Sequence, residues 1–147
     1  MATKAQNSGM QGVYLAAAAL SRQGLIVSPT ARNAKGADLL VTDDECLHAF
    51  SVQVKTNRSK SNFWLVGEHA RRLKAESHIY VLVNLLDASG NFEAYVVPSV
   101  SLAPLVKKQE ARASTWWYVE KSDLTAFKEA WHIFSPVASA PPEGTLS

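Results

Sequence analysis

The run HIYVLVNLL, residues 78–86, constrains this chain more than any other stretch. It is the most hydrophobic segment, and its length suits a strand rather than a span across a bilayer. A strand apolar on both sides must be covered on both sides, so the run predicts the central strand of a layered domain.

The flanking segments supply the other layers. Ser8 can cap a helix over about 9–23, where Val13, Ala16, Ala17 and Leu20 fall at helical spacing before Gly24 stops it. LIVSP, ADLLV and LHAFSVQVKT read as strands, with TDDEC as a turn between the last two. FWLV reads as a short strand and GEHARRLKAES as a helix or polar connection. DASGN turns the central strand back into FEAYVVP. Pro98 ends that strand, after which SVSLAPLVKKQEAR reads as helical, WWYV as a last short strand, and DLTAFKEAWHIF as a helix capped by Ser122 or Asp123. The expected architecture is one α/β domain over 8–134, with a central mixed, largely antiparallel sheet flanked by helices. Residues 1–7 and 135–147 have the small, polar or Pro-rich composition of flexible ends.

Composition narrows the class. Apolar residues make up 47% and charged residues 19% of the 147, an ordinary globular balance. No segment reads as a membrane span or a secretion signal, and the single cysteine, Cys46, cannot close an internal disulfide, which fits a cytoplasmic protein. The net charge is only +2, but cations are concentrated: Lys4, Arg22, Arg32 and Lys35 stand in residues 1–37 without an acid. Lys55, Arg58, Lys60, Arg71, Arg72 and Lys74 follow in residues 54–74 against Glu68 alone. Such a distribution can draw a polyanion, and it equally describes solvated faces.

The chemistry-bearing residues lie between these basic segments. Gln53 and Lys55 alternate onto one face of their strand. A turn centred near Glu45 and Cys46 puts Asp38 opposite Gln53. A carboxylate and an amide oxygen are hard ligands suited to Mg²⁺, and a nearby lysine can stabilise a phosphoryl transition state. By spacing alone, D-x14-Q-x-K also describes a strand pair with solvated ends.

In their setting, GMQGVYLAAAALSRQGLIV, GADLLV and VQVKT resemble the PD-(D/E)XK nuclease superfamily, in particular its restriction-endonuclease-like and Holliday-junction-resolvase-like members. YVLVNLL, FEAYVVPS and EAWHIF extend the resemblance over nearly the whole ordered chain. The resemblance implies a metal-dependent endonuclease acting on DNA with Mg²⁺ or Mn²⁺. Asp38 would be the metal-binding acid, Gln53 would replace the second acid as a ligand, and Lys55 would be the catalytic lysine. A homodimer would suit cleavage of both strands of a duplex. Two positions depart from the pattern: Gln53 stands for Glu, and Val13 stands where a first-helix Glu is common, with Asp43, Asp44 and Glu45 as substitutes from the turn. The alternative expectation is therefore a catalytically inactive nuclease-fold module that binds nucleic acid or a protein.

Arg32, Lys35, Arg58, Lys60, Arg71 and Arg72 are the expected phosphate contacts. His48, His69, His78 and His132 lack metal-ligand spacing and read as structural or exposed. Trp64, Trp116, Trp117 and Trp131 read as core, although exposed indoles could stack on bases.

Overall fold

Thr3, not Ser8, starts the first helix. The structure, a computed structural model, describes residues 3–31 and 36–135. The Thr3 side chain accepts the Gln6 amide N–H (3.2 Å) while the Gln6 side chain accepts the Thr3 N–H (2.8 Å). This capping box satisfies two otherwise unpaired donors and begins α1 at Lys4–Arg22, earlier than the apolar periodicity suggests. Ser8 lies inside the helix, its hydroxyl donating to the Lys4 carbonyl at 2.9 Å. Gly24 then takes φ +83°, which ends the helix.

Five strands form the main sheet: β1 (Ile26–Pro29), β2 (Leu39–Thr42), β3 (Ala49–Asn57), β5 (His78–Leu85) and β6 (Phe92–Pro98), with β4 (Phe63–Leu65) lying outside it. Their spatial order is β1-β2-β3-β5-β6. Neighbours are antiparallel except β3 and β5, which run parallel. β5 is buried at every position, as its apolar run predicts. On one face, α1 packs Val13, Ala16 and Leu20 against Val52, Val54, Val81 and Val83. α1 comes close to β3 because position 12 has no side chain: a Cβ on Gly12 would stand 1.8 Å from Thr56 Oγ1.

The other face carries a second core of Trp64, Tyr80, Leu82, Tyr95, Val97 and Val119. It is covered by a second sheet of β4, β8 (Ser114–Glu120) and β7 (Lys107–Ala111), in the order β4-β8-β7. Here the structure corrects two expected helices. After Pro98 a short α2 (Ser99–Leu102) and one 3-10 turn give way at Lys107 to β7, which hairpins with β8 from Lys107↔Tyr118 to Ala111↔Ser114. Ladder bonds to β8 override the helix-favouring composition of KKQEAR. The segment after Asp123 forms only 3-10 turns, Thr125–Phe127 and Trp131–Phe134. Between them the chain bonds to the edge of β6: Glu129 N–H donates to the Ala94 carbonyl (2.8 Å), and Ala94 N–H donates to Glu129 Oε1 (2.9 Å). Glu129 takes φ +50° to do so, which no α-helix permits. No helix among the described residues is long and apolar enough to cross a membrane.

Candidate active site

Asp38 sits where β2 meets β3, and its surroundings hold it on every side. Its N–H donates to the Val52 carbonyl (2.7 Å), and its own carbonyl accepts the Thr30 N–H (2.9 Å). Its carboxylate Oδ2 accepts the Val54 N–H at 2.7 Å, so the acid lies against the peptide joining Gln53 to Val54. The ladder pairs Leu39 with Val52, and one step further it sets Asp38 beside Gln53. The expected juxtaposition of acid and amide follows from a turn of the expected length.

That turn, 43–48, is closed by Asp43. Its Oδ1 accepts the N–H groups of Leu47 (2.7 Å) and His48 (3.3 Å), and its Oδ2 lies 2.8 Å from His48 Nδ1. The His48 contact, helped by the two amides, holds the Asp43 carboxyl below its usual range. Asp43 is thus committed to the turn, while Asp44 and Glu45 are exposed on it. Cys46 occupies the left-handed position of the same turn, at φ +59°.

Val52 and Val54 point to the α1 core, so Gln53 and Lys55 point to the opposite face. There they adjoin Tyr80 and Leu82, their cross-strand partners on β5, and both are half-buried. Burial raises the Tyr80 hydroxyl pKa above its ordinary value. His78, at the start of β5, donates from Nε2 to the Gly36 carbonyl (2.6 Å) and contacts the Ser99 hydroxyl through Nδ1. It is structural, as its lack of ligand spacing suggested, and it pins the chain just before Asp38. Val13 is buried in the α1 core, so the first helix brings no acid here.

The expected phosphate contacts separate. Arg32 and Lys35 lie outside the described residues. Arg58 and Lys60 are exposed after β3. Arg58 shares a cavity of 720 Å³ with Lys4, Asn7, Ser8 and Gln11 of α1 and with Asp87. Spacing of i, i+3, i+4 and i+7 puts the four helix residues on one polar face, a signal that was open to the sequence and passed over. Arg71 and Arg72 pair with Glu68, and the Arg71 guanidinium lies 4.5 Å from the Trp117 ring centre.

A buried polar network was also missed. Asn57 donates to Asn84 (2.9 Å), Asn84 donates to Glu93 (2.8 Å) and to the Ser61 carbonyl (2.9 Å), and Lys121 Nζ donates to Glu93 at 2.8 Å. Burial pushes the Glu93 carboxyl up, but Asn84, Lys121 and Lys128 together outweigh it, leaving the group below its ordinary value.

Oxygen donors at Asp38 and Gln53 are of the kind Mg²⁺ takes, and an ion that keeps waters and binds substrate phosphate needs only one or two carboxylates. In that sense the residues fit the metal that the sequence resemblance implies. Among the described residues, no group of three or more His, Cys, Asp or Glu is placed to hold an ion, so water and substrate would complete the shell.

No protein-family model matches the sequence, and no curated protein matches it either. Solved structures do. The bacterial homing endonuclease I-Ssp6803I superposes with a TM-score of 0.57 at 19% identity, over 92% of this chain and 94% of its own. A nuclease from a fusselovirus superposes with a TM-score of 0.55 at 10% identity, over 92% and 93%. The Holliday junction resolvase Hjc of Archaeoglobus fulgidus reaches a TM-score of 0.49 at 11% identity, over 79% and 86%. The chain thus shares the restriction-endonuclease-like fold of the homing endonuclease and the fusselovirus nuclease.

Proposed function

We propose that this protein is a metal-dependent endonuclease that hydrolyses phosphodiester bonds in DNA. The observation that carries the reading is the Asp38 carboxylate held at 2.7 Å against the Val54 N–H, between the residues that bear the Gln53 amide and the Lys55 ammonium. The nuclease fold of the solved neighbours supports it. Asp38 and the Gln53 amide oxygen would hold Mg²⁺ or Mn²⁺, which when bound would neutralise charge on the phosphate and acidify water. Lys55 would place its ammonium toward the phosphate oxygens and stabilise the charge that builds in the transition state. The bond from Val54 spares Asp38 rotamer freedom, so little ordering is left for the moment of binding. Arg58, with Lys4, would hold the flanking phosphates electrostatically.

The test is incubation of the purified protein with plasmid, linear duplex and branched DNA in Mg²⁺ or Mn²⁺. Asp38→Ala and Lys55→Ala are each expected to lower cleavage by about 100-fold or more. Cleavage that survives either change means the site is wrongly assigned.

A second reading, a catalytically silent module that binds nucleic acid, is favoured by Val13. Its burial leaves the metal one carboxylate and a neutral amide. Salt-sensitive DNA binding without detectable metal binding in a calorimetric titration would establish it.

A further inference from the structure

The outer face of the second sheet is unlike the rest of the surface. Along β8, Val119 is buried in the second core and Trp117 alternates onto the same side, so Trp116, Tyr118 and Glu120 turn to the opposite face. Phe63 on β4 pairs with Glu120 in the ladder, and its ring meets Tyr118 edge-on at 6.1 Å and 77°. Trp116 is 48% exposed and Phe63 42%, which corrects the expectation that Trp116 belongs to the core. The Trp116 indole N–H donates to Ser114 Oγ at 2.9 Å, a bond that orients the ring without burying it.

These rings do not make a flat patch. They wall a cavity of 630 Å³, within the size range of small-ligand sites, whose polar lining includes Asn62, Gln109 and Glu120. We infer that this cavity takes one unstacked nucleobase of a single-stranded nucleic acid. The inference rests on the nucleic-acid reading above and adds a subsite to it.

Three observations select this occupant. Any base has two π-faces, and an oriented, half-exposed indole beside two other rings is a stacking surface. Two amides and a carboxylate provide the donors and acceptors that read a base edge. Both nearby cations are engaged, Lys121 on the wall by Glu93 at 2.8 Å and Lys107 by Glu120 at 3.2 Å, so the cavity is a poor place for phosphate, while the Glu120 carboxylate can accept from an exocyclic amine. The base therefore enters while its phosphates stay outside, and cytosine, adenine and guanine are favoured over thymine and uracil. A second copy of the chain fits less well, because covering the cavity would strip water from its polar lining, Lys121, Ser122 and Thr125 included.

Single strands of about eight nucleotides, within the usual range of single-strand sites, provide the probe. Oligodeoxycytidine, oligothymidine and an abasic strand of equal length are titrated into the full-length protein without divalent metal, reading tryptophan fluorescence and anisotropy. Oligodeoxycytidine is expected to quench tryptophan emission and to bind roughly 5- to 100-fold more tightly than the abasic strand. Trp116→Ala should remove that advantage, with folding checked by circular dichroism. Gln109→Ala is a second, conservative probe of the same advantage, and Glu120→Gln should narrow the preference for cytosine over thymine. Equal binding of abasic and base-bearing strands overturns the inference. So does a Trp116→Ala protein that changes only its sedimentation behaviour, which would assign the face to self-association. If duplex DNA binds and single strands show no base dependence, the subsite alone falls. If neither form binds, the nucleic-acid reading falls with it.

Discussion

At the scale of single residues, the site hangs on position 53. A neutral amide there leaves Asp38 as the one firm anion of the proposed centre. Gln53→Glu is expected to tighten Mg²⁺ or Mn²⁺ binding by roughly tenfold, since ligand charge count tunes such sites. Isothermal titration of both proteins measures it, and unchanged affinity would remove Gln53 from the ligand set. The placement of Gln53 beside Asp38, with Lys55 on the face of Gln53, was legible in the sequence because a turn of known length between alternating strands dictates which residues face each other. The destiny of Asp43 was not, because closing a turn and reaching a metal ask for the same side chain. In the fold its oxygens are taken by Leu47 and His48. The face of Trp116 was equally hidden, since WWYV is apolar throughout and carries no alternation to reveal which side is wet.

At the scale of elements, the contact of α1 with β3 is set by Gly12. A methyl at that position meets Thr56 Oγ1 at 1.8 Å and its Cβ at 2.9 Å, so either the helix lifts or the strand shifts. Gly12→Ala is expected to cost about 3 kcal/mol in urea unfolding, at the upper end of overpacking effects. It should also lower any cleavage activity, because Thr56 adjoins Lys55 in the chain. Stability equal to the parent would show that the two elements are less tightly apposed than this. The strands around the site were readable because alternation and the β5 run are strong local signals. The C-terminal elements were not, for a reason that is not local. Lys107–Ala111 has helix-forming composition, yet it becomes a strand because β8 offers it ladder bonds. Residues 124–134 carry apolar side chains at helical spacing, yet the edge of β6 captures Glu129 and unwinds them into turns.

At the scale of the whole molecule, the Glu93 network ties β3, β5, β6, the 58–62 loop and the segment after β8 into one unit. Because the folded-state pKa of Glu93 lies below its ordinary 4.5, its contribution is present above that value and fades as pH falls through the folded pKa. Lys121 is held above its ordinary 10.5 by the Glu93 bond, so its share is present below that value and fades only as pH rises past the folded pKa. Glu93→Ala is expected to cost about 2 kcal/mol near neutrality, less than for a fully buried pair because Lys121 reaches water. The cost should shrink in acid unfolding curves below pH 4.5. A constant difference across that range would mean the carboxylate is not what joins these elements. The parallel pairing of β3 with β5 has a temporal counterpart. Antiparallel β2 and β3 can meet as soon as both exist, but β3 stays a bare edge until residues 78–85 have been synthesised and have crossed back beside it. On a growing chain, then, Lys55 lacks its supporting neighbour until residues 78–85 have themselves left the ribosome.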